Sequence, residues 1–274
     1  MSERDVDRRL EIGIEACQVV GRLLMSRRGG RINGVESEGE QLKTDIDREA
    51  EEIVLGHIRT HFPDEPILSE EAFEAEGTPW TPCMNYWTVD ALDGTRSYVE
   101  GYDGFCVQMA WIEHGEPTMG VVHEPVRGTT MWALRGRGAY VDCAEGRRPL
   151  RIGSAPRLSR APVFVDSTLP RGPVGALMAQ MGGVFLECGS IGLKICRVAQ
   201  AEADVYAKAL TFKLWDVAPG DCIIRESGGT VGLWDGTTLP YASGEVFHNN
   251  IIAAEAGEFS SLCDGLTRYS RDAR

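Results

Sequence analysis

The 274-residue chain has no CxxC pair, no apolar run approaching the roughly 20 residues of a membrane span, and no surplus of positive charge. Its eight cysteines (Cys17, Cys83, Cys106, Cys143, Cys188, Cys196, Cys222 and Cys263) are scattered, several inside apolar runs such as Phe105-Cys106-Val107. That scatter excludes a disulfide framework and a CxxC metal or redox centre. It leaves the reduced, packed thiols of a cytoplasmic protein as the expectation. The stretch MSERDVDRRL is charged throughout and holds no apolar signal core, so neither secretion nor membrane attachment is expected. Against 28 Lys and Arg stand 41 Asp and Glu, a formal net charge of -13. This balance disfavours nucleic-acid polymers and anionic bilayers as partners, and a phosphorylated ligand would need local cations or a metal. No Walker A pattern occurs, and Gly136-Arg137-Gly138 lacks the rest of a dinucleotide fingerprint. Repeats, low-complexity stretches and linkers are also missing.

What is present is an ordinary globular composition, 43% hydrophobic and 25% charged, in a chain long enough for one large or two closely packed domains. Val6, Leu10, Ile14, Cys17, Gly21 and Leu24 recur at helical spacing and predict an amphipathic helix over 4–26. The polar, glycine-rich segment 29–41 is expected to be a mobile loop. Thr44 reads as the N-cap of a second helix whose apolar face is Ile46, Ala50, Ile53, Val54 and Ile58, ending near Phe62-Pro63. A short strand from Pro66 runs out on Glu70-Glu71, and strand-like runs follow at 105–112, 117–123 and 129–134. Residues 1–150 therefore read as an α+β half. Beyond them, strands at 162–166, 184–186, 203–207 and 230–234 and one after 250 alternate with helices near 173–181, 190–201 and 216–227 and a last one ending at 268. Residues 151–274 read as an α/β half, packed tightly on the first.

Chemistry gathers at the ends of these elements. Trp87-Thr88-Val89 form a short buried strand that delivers Asp90, Asp93 follows three residues later, and Gly94-Thr95 permit a tight turn. Two carboxylates converging in an interior repel unless a cation lies between them, and hard oxygen ligands select Mg²⁺, Ca²⁺ or Mn²⁺ over zinc. Asp47 in the first turn of the second helix, Glu70 after its strand, and Asp216 in Leu214-Trp215-Asp216-Val217-Ala218-Pro219-Gly220 complete the acidic set. Taken singly, Asp216 is equally an N-cap, and the helix macrodipole alone accounts for Asp45. His57 and His61 stand four apart without a third ligand and read as a surface pair; His114, His123 and His248 have no nucleophile partner.

In order along the chain, a glutamate after a strand, D-x-x-D-G-T at Asp90–Thr95 and W-D-x-A-x-G at Trp215–Gly220 resemble the inositol monophosphatase superfamily. These are Mg²⁺-dependent, typically lithium-sensitive phosphatases, and the resemblance runs from about residue 10 to 255. Ala91 stands where proline is common and Pro219 where alanine is usual, and neither change removes a ligand. The resemblance implies a layered αβαβα sandwich of the sugar-phosphatase type, an active site between the halves, and dimerisation. It implies that Glu70, Asp90, the Leu92 carbonyl, Asp93 and Asp216 hold two or three Mg²⁺ ions. Asp47, Thr95 and Glu70 would serve catalysis, with Asp47 and Thr95 orienting and deprotonating the attacking water. The Gly94-Thr95 amides would hold the phosphate. The lysine some relatives carry in the mobile loop is replaced by Val35-Glu36-Ser37-Glu38. Haloacid-dehalogenase-type phosphatases are excluded, because their D-x-D has one intervening residue and forms an aspartyl-phosphate.

Substrate choice must be read elsewhere. Gly189-Ser190-Ile191-Gly192-Leu193-Lys194 is similar to a segment of the 3'(2'),5'-bisphosphate nucleotidases (the CysQ type). There the serine opens a helix beside the substrate and the lysine binds a second phosphate. Lys208 stands where those nucleotidases carry arginine or lysine and inositol enzymes carry glutamate. Arg96 resembles the basic residue of the nucleotidase version, and Asp216 also borders the substrate. A ligand with two phosphates needs positive charge away from the metals. The leading expectation is therefore hydrolysis of 3'-phosphoadenosine 5'-phosphate to AMP and phosphate. Inositol 1-phosphate or another sugar phosphate is the alternative, and a non-catalytic ligand-binding regulator the third.

Overall fold

The apolar stripe that begins at Val6 forms α1 (Glu3–Arg27), whose buried residues include Ala16, Cys17, Val20 and Leu24. The computed structural model describes residues 3–30, 36–38, 41–77, 79–153 and 160–272. Within the stretch expected to be a loop, β1 (Glu36–Glu38) and β2 (Gln41–Lys43) pair as an antiparallel ladder. The rest of that expectation, 31–35 and 39–40, lies outside the described residues. Thr44 caps α2 (Asp45–His61) in a capping box: its side chain accepts from the Ile46 N–H, and Asp47 accepts from the Thr44 N–H.

A seven-stranded sheet follows, with β3 (Ile67–Ser69) parallel to β4 (Tyr86–Asp93), then β5 (Cys106–Glu113), β6 (Glu116–Glu124), β7 (Thr129–Leu134), β8 (Gly138–Cys143) and β9 (Gly146–Leu150) as an antiparallel meander. The last hairpin, β8–β9, has no counterpart in the sequence reading; β9 is exposed except at Leu150 and carries little hydrophobic alternation. Glu70-Glu71 do not end a strand but open α3 (Glu70–Glu76), where acids suit the helix N-terminus. After the Gly94 turn comes the short α4 (Thr95–Val99).

In the second half, β10 (Val163–Asp166), α5 (Gly172–Gln180), β11 (Val184–Glu187), α6 (Ile191–Ala199), β12 (Val205–Lys213), α7 (Leu214–Ser227), β13 (Gly229–Leu233), β14 (Phe247–Glu255) and α8 (Phe259–Asp272) build a five-stranded sheet and its helices. Its order is β11-β10-β12-β14-β13. β10 runs parallel to its two neighbours, while β14 runs antiparallel to β12 and β13.

Stacking these elements yields an αβαβα sandwich. α1 and α2 cover one face of the large sheet, α6 and α7 fill the space between the sheets, and α5 and α8 cover the far face of the small one. Each interface has its own apolar core. The middle core joins both sheets through Trp215, Leu193, Ile195 and Val122. Packing there is backbone-close: a Cβ at Gly120 of β6 would stand 2.3 Å from the Pro219 carbonyl oxygen of α7. Among the described residues no helix is long and apolar enough to cross a membrane. Since neither layer can retreat without disturbing Asp216 one turn away, Gly120→Ala is expected to destabilise the fold by about 1–3 kcal/mol, measured by equilibrium denaturation.

Candidate active site

Residues three apart on a regular strand point to opposite faces. Asp90 and Asp93 nevertheless share one, because β4 is irregular between them: Asp90 pairs with Gln108 and Asp93 with Cys106, leaving two residues of β4 opposite one of β5. The extra residue is a β-bulge that re-aims Asp93. Its Oδ2 accepts from the Ser190 hydroxyl, from Gln108 Nε2 at 3.0 Å and from the Gly192 N–H at 2.8 Å. Asp93 is thereby tied to the first turn of α6. Asp90 accepts from the Leu92 N–H at 3.0 Å.

Glu70 at the start of α3, Asp90 on β4 and Asp216 in the first turn of α7 converge, with a carboxylate oxygen from each within 4.8 Å of the others. Asp216 is not the N-cap of its helix but its third residue, and it accepts from the Lys213 N–H at 2.8 Å. Burial pushes all three carboxyls up, reinforced by repulsion from neighbouring carboxylates: Glu70 to about 8, Asp216 to about 7, and Asp90 well above the usual carboxylate range. Asp93 is also raised by burial, against the pull of Ser190 and Gly192. An all-oxygen donor set, largely withdrawn from solvent and closely spaced, fits a hard divalent cation such as Mg²⁺. The cleft over it, about 590 Å³, is also lined by Leu92, Asp93, Gly94, Thr95 and Arg96.

Asp47, buried on α2, stands behind the wall of this cleft and touches its lining residue Thr95. Its Oδ1 accepts from the Thr95 hydroxyl at 2.8 Å, and its Oδ2 from the Thr44 N–H at 2.8 Å and the Thr44 hydroxyl at 2.6 Å. Thr95 Oγ also lies 3.2 Å from the Leu92 carbonyl. Burial raises Asp47, and the two threonines oppose that rise. Gly94 makes the turn: its φ is +96°, and a Cβ there would stand 2.5 Å from the Gly104 carbonyl oxygen.

The substrate residues expected from sequence divide. Arg96 lines both the acidic cleft and a neighbouring one of about 960 Å³ that also contains Lys208. Lys208 Nζ donates to Asp166 Oδ1 at 2.8 Å and to the Ser167 hydroxyl at 3.1 Å. Lys194 and Ser190 are both buried. Lys194 is 3% exposed and paired at 3.4 Å with Asp166, the carboxylate that also meets Lys208. The Ser190 hydroxyl is buried between Asp93 and the Leu193 N–H, which it caps.

Two participants escaped the sequence reading. Gln108, fully buried, donates to Asp93 and, at 3.4 Å, to the Asp216 carbonyl. Its signal was a lone amide in the otherwise apolar run FCVQMAWI. Lys213 places its ammonium 3.4 Å from Glu70 and 3.5 Å from Glu74, and those acids raise its pKa against the effect of burial. Its signal was a cation at a helix N-terminus, where the macrodipole disfavours one.

The raised carboxyls set a pH dependence. Glu70 and Asp216 hold protons in the folded metal-free protein that they lose when unfolded. The folded state therefore binds more protons between about pH 4 and pH 8, and its stability falls as pH rises through that window. Mg²⁺ selects the ionised carboxylates, so it is expected to raise the melting temperature more at pH 8.5 than at pH 6. Differential scanning calorimetry at both pH values, with and without Mg²⁺, checks this.

The sequence profile of the inositol monophosphatase family matches residues 5–264. The chain is 30% identical over 252 residues to the fructose-1,6-bisphosphatase/inositol-1-monophosphatase of Thermotoga maritima, spanning 90% of this chain and 93% of that one. It is 33% identical over 210 residues to the 3'(2'),5'-bisphosphate nucleotidase CysQ of Salmonella typhimurium, 75% of this chain and 82% of that one. A solved Thermotoga maritima IMPase superposes with a TM-score of 0.81 at 27% identity, covering 97% of this chain and 99% of that one. Relatives named for different activities match at similar identity, so the comparisons favour no branch. The chain belongs to the inositol monophosphatase family and is a Mg²⁺-dependent phosphomonoesterase.

Proposed function

We propose that this phosphomonoesterase acts on a 3'(2'),5'-bisphosphate nucleotide, releasing phosphate from 3'-phosphoadenosine 5'-phosphate to leave AMP. One observation carries the reading: Arg96 belongs to both clefts, so an ester phosphate at the acid cluster leaves the remainder of the substrate directed past Arg96 toward Lys208. Asp166 faces two ammonium groups, Lys194 and Lys208, with a single carboxylate. The pair therefore keeps a net positive charge at the cleft wall, suited to a second phosphate.

Glu70, Asp90, Asp93, Asp216 and the Leu92 carbonyl would hold the Mg²⁺ ions, which when bound would neutralise the phosphoryl oxygens, lower the pKa of water and stabilise the leaving oxygen. The Gly94 and Thr95 N–H groups orient the phosphate. Thr95 Oγ takes a proton from the attacking water as its own proton passes to Asp47 Oδ1, 2.8 Å away. Burial raises the Asp47 pKa, so the carboxylate is a stronger base than one in water. Attack proceeds in line with departure of the nucleoside oxygen toward the larger cleft.

A second reading, inositol 1-phosphate or another sugar phosphate, is favoured by the carboxylates Glu100, Asp103 and Glu187 in the same large cleft, which accept hydrogen bonds from polyol hydroxyls. The regulator reading is set aside, since family membership comes with the complete acid set.

Purified protein in Mg²⁺ is expected to show a higher kcat/KM for 3'-phosphoadenosine 5'-phosphate than for inositol 1-phosphate; equal or better turnover of the inositol ester sinks the nucleotidase assignment. Lys208→Ala is expected to lower kcat/KM for the bisphosphate about tenfold or more, the loss of one charge-assisted contact, while leaving 5'-AMP-sized monophosphates less affected. Thr95→Ala is expected to reduce kcat by about 10²–10⁴-fold with a small change in KM, read by phosphate release.

A further inference from the structure

α3 is seven residues long, too short to hold its own first turn firmly, yet that turn carries Glu70. Its N-cap residue, Ser69, has the extended backbone of a cap, but its side chain makes no capping bond. The hydroxyl points away and donates to Glu51 Oε1 at 2.8 Å. The same oxygen accepts from the Ala72 N–H at 2.9 Å, and Glu51 Oε2 accepts from the Glu71 N–H at 2.9 Å. A carboxylate on α2 thus caps α3 from outside and grips the chain on both sides of Glu70.

Glu51 is 4% exposed and forms none of the ion pairs found among the described residues; Lys43 acts on it only through space. Burying a carboxylate without a direct ion pair is unfavourable unless hydrogen bonds offset the lost hydration, and all three bonds to Glu51 come from the start of α3 or its cap residue. Glu51 also stands four residues after Asp47, on the same face of α2. One helix face therefore reaches Thr95 through Asp47 and the Glu70 turn through Glu51, spanning the acid cluster from both sides.

We infer that Glu51 is a positioning residue for Glu70: it sets the direction in which that carboxylate meets Asp90 and Asp216, and so the affinity of the cluster for its divalent cation. The inference rests on Glu70 being a metal ligand. Glu51→Gln keeps the shape but turns an N–H₂ toward a backbone N–H, so one of the two main-chain bonds is lost. Loss of such an outer-shell partner lowers metal affinity about ten- to hundredfold.

Isothermal titration calorimetry of Mg²⁺ into metal-free protein is the primary measurement. Glu51→Gln is expected to bind Mg²⁺ at least tenfold more weakly and to lose kcat with KM for the phosphate ester changed less than twofold at saturating Mg²⁺. Glu51→Asp, which keeps the charge but falls short of α3, is expected to weaken binding as well, and it serves where the glutamine variant does not fold. Glu52→Gln removes an exposed charge at the next position and is expected to change nothing. Wild-type Mg²⁺ affinity in a folded Glu51→Gln or Glu51→Asp protein overturns this inference alone, even if its melting temperature has dropped. A wild-type protein that takes up no Mg²⁺ overturns it together with the metal-dependent reading.

Discussion

Holding like charges together inside a protein is the constraint on which this molecule turns. Carboxylate oxygens of Glu70, Asp90 and Asp216 lie within 4.8 Å of one another. At such separations two unit charges repel by on the order of 4 kcal/mol in a surroundings of effective dielectric near 20. The cluster persists because each carboxylate is fixed by its own element before it meets the others: a strand, the first turn of α3 and the first turn of α7. Lys213 supplies part of the compensating charge, and a divalent cation supplies the rest.

The same elements join the acid cluster to the larger cleft. Asp93 receives the Ser190 hydroxyl and the Gly192 N–H, so the strand that carries the acids is bonded to the helix that carries Lys194 and Arg197. α6 lies between the two sheets, with its Lys194 beneath Asp166 and Lys208 at the wall of the larger cleft. The acid cluster and the wall of the larger cleft are consequently joined through one helix. A shift of α6 reaches Asp93 within one hydrogen bond.

Much of this was legible from residues alone, for reasons that can be named. The 3.6-residue spacing of α1 and α2, the Thr44 cap and the strand running into Asp90 are local signals, and all are found where the spacing puts them. The acids of D-x-x-D-G-T and W-D-x-A-x-G come together as a constellation whose order along the chain is distinctive. Illegible were features decided by pairing partners. β9 lacks alternation because most of its side chains are exposed. Glu70-Glu71 read as the end of a strand because only the Glu51 carboxylate, 19 residues earlier than Glu70, makes a helix start there. The antiparallel β14 within the small sheet leaves no trace in the alternation of elements.

The sequence by itself determined the reaction class and the ligand chemistry, since hard oxygen donors at the ends of buried elements are a matter of residue type and local structure. Tertiary structure alone decided which partner each polar side chain meets. Ser190, Lys194 and Lys208 look alike as candidates for substrate contact in one dimension. Burial separates them: the first two spend their polar atoms on Asp93 and Asp166, while Lys208 retains a place at the cleft wall with Arg96. A side chain's charge is written in its codon, whereas its partner depends on which distant strand or helix folds against it.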